Sequence, residues 1–145
     1  MEITIKELST KDEMLETHSL VNQMYEKISH EEFSAMLDEM ISRNDYKIVA
    51  AMSGEKIIGI SGYWISMMLY CGRYLQASNF IVDREMRKSG IGKKLLNYLE
   101  DKAKKSDCKK FVLDSYVLNT KSHPLFFREG FYIRWCFHAK ADADW

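Results

Sequence analysis

The chain has 145 residues, and its 21 lysine and arginine residues equal its 21 aspartate and glutamate residues. The length suits a single domain over residues 1–145. A hydrophobic content of 46% with 29% charged residues is typical of a folded protein and excludes a disordered one. The zero net charge argues against a protein coated in positive charge, so we expect no nucleic-acid partner.

Cysteine, histidine and hydrophobic patterns exclude several other classes. The three cysteines, Cys71, Cys108 and Cys136, are odd in number and far apart, so we predict no disulfide framework and a cytoplasmic location. The histidines are scattered and no C-x-x-C or H-E-x-x-H is present, so no metal site is predicted. The longest uncharged stretch, residues 57–72, is shorter than the roughly 20 residues that span a membrane, so no membrane partner is expected.

The balanced total charge hides two oppositely charged segments. Residues 1–45 hold 4 basic and 11 acidic residues, a net of −7, whereas residues 84–110 hold 10 basic and 4 acidic residues, a net of +6. Two interpretations stay open: solvated helix faces, or an anion-binding site in the basic segment.

The N-terminal third predicts one strand and two amphipathic helices. Apolar residues alternate with charges over residues 1–8, as in a strand. Thr10 and Ser29 are each followed three residues later by a glutamate, which is a capping-box signature. Apolar residues at helical spacing follow both caps.

The rest of the chain alternates strands with helices. Strands are predicted over residues 46–52, 57–68, 74–82, 110–118 and 132–138. Helices are predicted from Ile91 to about Lys105 and over residues 122–129, where Pro124 suits the first turn and Gly130 the C-terminal cap. The predicted order is β-α-α-β-β-β-α-β-α-β, a mixed α/β fold around a central sheet.

One loop combines features of an anion site. A strand runs into Arg87-x-x-Gly90-x-Gly92, which opens a helix. Unpaired N–H groups and the macrodipole favour anions at a helix start, and glycine permits close approach of a ligand. Basic side chains flank the segment, which therefore fits a pyrophosphate. No Walker sequence is present, and the third glycine of a dinucleotide fingerprint is missing. We name residues 87–92 the glycine loop.

Two motifs together resemble one family. Arg87-x-x-Gly90-x-Gly92 after a strand is similar to the acyl-CoA motif of the GNAT superfamily of N-acetyltransferases. Downstream, Asn119, Ser122-His123, Phe126 and Gly130-Phe131 resemble that family's N-x-x-A-H-x-x-Y-x-x-x-G-F signature. The predicted order of elements agrees over nearly the whole chain. The resemblance implies a GNAT-like fold and N-acetyltransferase activity.

The resemblance also implies a cofactor, acetyl-CoA or another acyl-CoA. By the family pattern the backbone of residues 80–82 pairs with the pantetheine arm, and the N–H groups from Lys88 through Lys93 wrap the pyrophosphate. A backbone N–H near Ile81 polarises the thioester carbonyl. The implied cofactor-binding residues are Phe80, Ile81, Val82, Arg87, Lys88, Ser89, Gly90, Ile91, Gly92, Lys93, Asn119, Ser122 and Phe126.

The usual proton-transfer groups of the family are missing. The tyrosine that protonates the departing thiolate is replaced by Phe126, and residues 76–79 contain no carboxylate to act as a base. The amine must still lose a proton before it attacks. The nearest motif-linked alternatives are Tyr116 and His123, for which a strand aromatic and a helix N-terminal residue are the competing structural interpretations.

Two functional hypotheses follow. The first is an acetyl-CoA-dependent N-acetyltransferase acting on a small-molecule or peptide amine, with a cationic acceptor such as a polyamine or lysine suggested by the acidic N-terminal third. The alternative is a catalytically silent acyl-CoA-binding or regulatory module on the same fold. The aromatic residues Tyr63, Trp64, Tyr70 and Tyr74 either line an acceptor pocket or pack on the sheet. The acceptor, the acyl chain length and the oligomeric state, including a homodimer, stay open.

Overall fold

The computed structural model describes residues 1–115 and 120–134. The chain divides into two compact units, Met1–Ser115 and Tyr116–Trp145. The expectation of one domain over residues 1–145 therefore remains a prediction.

The first unit is built on a five-stranded mixed sheet, which confirms the predicted mixed α/β class; the predicted order had a sixth strand, over residues 132–138. Its strands follow one another in chain order across the sheet. The first four pair antiparallel, and the last pairs parallel with its neighbour. The strands are β1 (Thr4–Leu8), β2 (Lys47–Ser53), β3 (Lys56–Met68), β4 (Gly72–Val82) and β5 (Lys110–Leu113).

Five helices accompany the strands in the described residues. They are α1 (Lys11–Leu15), α2 (His18–Met24), α3 (His30–Asn44), α4 (Ile91–Lys105) and, in the second unit, α5 (His123–Arg128). A single 3-10 turn, Arg84–Met86, lies between β4 and α4. None of these helices has the length and apolar character that crossing a membrane requires.

The N-terminal third contains three helices and not the two predicted. The break lies at Thr17, whose buried hydroxyl donates a 2.7 Å hydrogen bond to the Met14 carbonyl. A threonine side chain that bonds to a nearby carbonyl competes with the helical pattern, so α1 ends and α2 begins there. Both predicted N-terminal caps are present: Thr10 accepts from the Glu13 N–H, and Ser29 with Glu32 forms a complete capping box.

The C-terminal elements agree with the prediction in part. β5 ends at Leu113, and the two residues after it are irregular, whereas the predicted strand ran to residue 118. Residues 116–118 lie outside the described part of the chain. α5 has Pro124 in its first turn and Gly130, with φ 92°, just beyond its end. Of the last predicted strand, residues 132–134 are irregular and residues 135–138 lie outside the described residues.

Side chains alternate between the two faces of the sheet. Ile48, Ala50 and Ile81 pack into one cluster with the N-terminal helices. The cluster on the other face contains Val49 and Ala77, together with the apolar stripe of α4. Since successive strand residues point to opposite faces, this division tells which side of the sheet each polar strand residue reaches.

Candidate functional site

The glycine loop has the backbone geometry of an anion cradle. Lys88 and Gly90 both lie in the left-handed region, with φ 66° and 80°. Left-handed residues in a turn can direct neighbouring N–H groups toward an anion. The Ser89 hydroxyl donates to the Met86 carbonyl and ties the loop to the preceding 3-10 turn.

The loop leads directly into the N-terminus of α4. Gly90 is the N-cap residue and contributes no side-chain cap, and the first turn holds no acidic residue. The first N–H groups of this 15-residue helix therefore stay available, and the macrodipole adds partial positive charge at the same place. A Cβ on Gly59 of β3 would lie 2.8 Å from Ile91 Cγ2, so a glycine there lets the helix start close to the sheet.

Cationic side chains around the loop remain unpaired within the described residues. Arg87, Lys88, Lys93 and Lys94 are exposed, and none forms an ion pair there. By contrast, the lysines near the other end of α4 each face a carboxylate, at 3.7, 3.5 and 2.8 Å for Lys102, Lys104 and Lys105. Four cations of the basic segment without an ion pair among the described residues thus surround the glycine loop.

A second feature is the point where β4 and β5 part. Their described pairing ends with Ala77 opposite Leu113, whereas β4 continues to Val82. Between Ser78 and Ile81 the register with β3 shifts at a bulge, and Asn79 in that bulge has φ 53°. A bulge bends and twists a strand, so it turns β4 where its pairing with β5 stops. We name this place the fork, with Ser78 and Asp114 as the first residue of each arm.

The Asn79 side chain fixes the bulge to the face of the sheet that carries the N-terminal helices. The Tyr46 hydroxyl donates to Asn79 Oδ1 at 2.8 Å, and Asn79 Nδ2 donates to the Tyr25 hydroxyl at 3.1 Å. Tyr25 is the residue that ends α2, so the bulge is tied to the N-terminal helices. Burial raises the pKa of Tyr46, which keeps this phenol a neutral donor.

Asp114 is a functional candidate that the sequence did not reveal. Phe111 and Leu113 pack toward α4, so alternation turns Asp114 to the opposite face, where Ser78 forms a hydrogen bond with it. Partial burial raises the pKa of Asp114 above its ordinary value, although the bond from Ser78 acts in the other direction. No local pattern marks this aspartate, because its importance depends on the pairing of β5 with β4.

The structure brings only some of the predicted site residues together. The end of β4 holds Phe80, Ile81 and Val82, and residues 87–93 form the glycine loop and the first turn of α4, all in the first unit. The second unit holds the remaining described candidates. There Ser122 precedes α5, His123 begins it, and Phe126 packs against Phe131 with ring centroids 6.2 Å apart.

Other candidates pack on the sheet or lie outside the described residues. Tyr116 and Asn119 belong to the latter group. Tyr63 and Trp64 do not line one pocket. Tyr63 lies on the α4 face, where its hydroxyl donates to Glu7, whereas Trp64 packs with the cluster on the other face. Among the described residues, no group of three or more histidine, cysteine, aspartate or glutamate side chains could hold a metal ion.

Sequence comparisons place this geometry among known proteins. A profile described as the acetyltransferase (GNAT) family matches residues 14–131. The chain is 22% identical over 121 residues to the uncharacterized N-acetyltransferase YhdJ of Bacillus subtilis (strain 168), covering 83% of this chain and 85% of that protein. It is 28% identical over 97 residues to glucosamine 6-phosphate N-acetyltransferase of Arabidopsis thaliana, covering 63% of this chain and 65% of that protein.

Solved structures share the fold. The crystal structure of the Arabidopsis thaliana glucosamine-6-phosphate N-acetyltransferase aligns with a TM-score of 0.75 at 22% identity, covering 97% and 99% of the two chains. The aminoglycoside N-acetyltransferase AAC(6')-Iy, solved with CoA, aligns with a TM-score of 0.79 at 19% identity, covering 96% and 95%. The aminoglycoside acetyltransferase meta-AAC0020 from an uncultured soil metagenomic sample reaches 0.83 at 14% identity, covering 98% and 97%.

Proposed function

This chain belongs to the acetyltransferase (GNAT) family and is an N-acetyltransferase, and we propose that it transfers the acetyl group of acetyl-CoA to a primary amine. The observation that carries the choice of cofactor is the glycine loop. Two left-handed residues, an uncapped helix start and four exposed cations without an ion pair among the described residues lie within one short segment. A pyrophosphate with several negative oxygens is the kind of group that such a segment holds.

In this proposal the chain binds the cofactor through two stretches of backbone. The N–H groups of residues 88–93 hold the pyrophosphate, and Arg87, Lys88 and Lys93 add charge-assisted contacts. Phe80, Ile81 and Val82, at the end of β4 beyond its described pairing with β5, hold the pantetheine arm as an added strand would be held. Bound acetyl-CoA supplies a thioester that an amine can attack directly. An N–H near Ile81 stabilises charge on its carbonyl oxygen.

We propose a cationic acceptor, such as a polyamine, an amino sugar or a lysine side chain. The net charge of −7 over residues 1–45 supports this class, because a negative surface attracts and orients a positively charged substrate. Two proteins with related folds are named as acetyltransferases of glucosamine 6-phosphate and of aminoglycosides, and both substrates carry amines. An amine panel with thiol release as the readout tests this class, and a preference for neutral or acidic amines would contradict it.

Isothermal titration with acetyl-CoA tests the cofactor assignment. We expect saturable binding, and absence of heat at millimolar acetyl-CoA would refute the assignment. Binding without thiol release from any amine of the panel would instead support the silent acyl-CoA-binding module. That outcome would separate cofactor binding from catalysis.

We predict that Gly90→Glu abolishes the stabilisation of the protein by acetyl-CoA. The new carboxylate would repel the phosphates, and a side chain would be strained at φ 80°. Gly54→Glu is a matched control, because Gly54 also has a positive φ of 60° and space for a Cβ, but lies in the β2–β3 turn. A thermal shift series with acetyl-CoA compares the two variants. Equal shifts in both would mean that the glycine loop does not hold the cofactor.

A further inference from the structure

The proposed reaction requires a group that accepts a proton from the amine. At neutral pH a primary amine is mostly an ammonium ion, and its nitrogen has no free electron pair until one proton leaves. Residues 76–79 offer no carboxylate for this purpose. We propose that Asp114, at the fork between β4 and β5, is the catalytic residue that takes this proton. The inference rests on the proposed acetyl transfer.

The position of Asp114 follows from the strand register. Ala77 pairs with Leu113, so the next residues along the two parallel strands, Ser78 and Asp114, begin the two arms of the fork. The pantetheine arm is proposed to lie along the β4 arm, at Phe80, Ile81 and Val82. Asp114 therefore lies at the end of β5, opposite the segment of β4 that is proposed to hold the pantetheine. The thioester and the amine have to meet at this place.

Asp114 also lies on the acceptor side of the sheet. Its neighbour Leu113 packs toward α4, whereas Asp114 meets Ser78 on the opposite face. The same face carries Tyr46 and the N-terminal helices, whose segment holds the excess of acidic residues. A cationic amine drawn to that segment approaches the fork from the face on which Asp114 and Ser78 lie.

The surroundings of Asp114 suit a group that accepts a proton. Within residues 1–115, the side chain of Ser78 forms a hydrogen bond with Asp114. Tyr46 interacts electrostatically with Asp114 and with Tyr25. Burial keeps the Tyr46 phenol neutral, so it does not compete for the proton. Because partial burial raises the pKa of Asp114, its carboxylate binds a proton more strongly than an exposed aspartate does.

The proton and electron balance is complete with these groups. One ammonium proton moves to the Asp114 carboxylate, and the freed pair on nitrogen forms the C–N bond to the acetyl carbon. The C–S bond breaks and its electron pair leaves with sulfur. A second nitrogen proton ends on that sulfur, the third stays on the amide, and Asp114 returns its proton to solvent. One proton is released for each acetyl group transferred.

The first test compares Asp114→Asn with Asp107→Asn. Both variants remove one negative charge, but exposed Asp107 lies before β5, at the other end of that strand. We expect Asp114→Asn to lower kcat by roughly 10²–10⁴-fold while its acetyl-CoA affinity stays within about twofold of the wild-type value. Because the amine substrate of Asp114→Asn must lose its proton in solution, the turnover rate of this variant should rise about tenfold per pH unit. Asp107→Asn should behave as the wild type does.

The second test uses Ser78→Ala and a readout independent of turnover. The Ser78 bond lowers the pKa of Asp114, so its loss should raise that pKa further. Carbon-13 NMR titration of the Asp114 carboxyl should show this rise in the free protein, with wild type already above the ordinary 3.8. The acid limb of the kcat/KM profile should move to higher pH by the same amount.

The outcomes separate the two proposals. Suppose the wild type acetylates amines and Asp114→Asn does so equally well, or Ser78→Ala leaves the acid limb of the pH profile unchanged. Then the role proposed for Asp114 is refuted, and the proposed acetyl transfer is not affected. If Asp114→Asn loses acetyl-CoA binding itself, the residue is structural and the role is again wrong. If the wild type binds acetyl-CoA but acetylates no amine, the proposed function is the one that fails.

Discussion

Asn79 illustrates how one side chain can hold an irregular piece of backbone. It adopts a left-handed conformation inside β4, and its amide joins Tyr46 to Tyr25 by two hydrogen bonds. Asparagine tolerates this conformation better than most residues with a Cβ, since its short polar side chain finds local partners. The residue therefore keeps β4 bent where the cofactor is proposed to bind.

We predict that Asn79→Ala destabilises the protein by about 2–4 kcal/mol, because the buried Tyr46 and the partly buried Tyr25 each lose a hydrogen bond and alanine is strained at φ 53°. Asn79→Gly loses the same bonds without the strain, so it should cost about 1 kcal/mol less. Urea unfolding of both variants measures the two contributions. Identical losses would show that the left-handed backbone carries no strain.

The helices of the N-terminal third show which element boundaries a sequence can predict. A capping box joins residues three apart, so its signature is visible in the sequence before any fold is known. Thr10 and Ser29 were identified in this way, and both cap helices. The division at Thr17 was missed, because threonine is compatible with a helix until its hydroxyl is buried and bonds to the Met14 carbonyl.

We expect Ser29→Ala to reduce the free energy of unfolding by about 1 kcal/mol, since the Glu32 N–H loses its side-chain acceptor. Ser42→Ala is the matched control, because Ser42 is exposed inside the same helix, where alanine is the better helix former. Urea denaturation of the two variants checks the cap. A loss in Ser42→Ala as large as that in Ser29→Ala would speak against it.

The charges of the whole molecule sum to zero but are unevenly distributed along the chain. The basic segment of net +6 lies along α4 and its flanks, and its lysines at the far end of α4 are neutralised by Glu7, Glu100 and Asp101. Those at the glycine loop have no such partners among the described residues. Part of the positive charge of the segment therefore lies where the phosphates are proposed to bind.

We predict that Lys93→Gln weakens acetyl-CoA binding several-fold and makes it less sensitive to salt, because Lys93 at the helix start is proposed to contact phosphate. Lys104→Gln should leave both quantities unchanged, since Lys104 faces Glu100 near the other end of α4. Isothermal titration at low and high sodium chloride measures the affinity and its salt dependence. Equal effects of the two substitutions would show that only the overall charge matters.

Local signals in the sequence were enough to predict most of the elements and the glycine loop. Helix caps, the alternation of apolar and polar residues, and the Arg87-x-x-Gly90-x-Gly92 spacing each involve residues that are close in the sequence. Such signals can therefore be recognised without knowing the fold. The opposite charges of the two segments were equally visible, and they remain the basis for expecting an anion site and a cationic acceptor.

The fork could be found only in the folded chain. Ser78 and Asp114 belong to different strands, and they meet because Ala77 pairs with Leu113 in the parallel register. The bulge at Asn79 depends on partners from α2 and from the start of β2. A carboxylate acquires a raised pKa and a place beside the reacting groups through packing between distant segments, and no spacing along the chain records that packing.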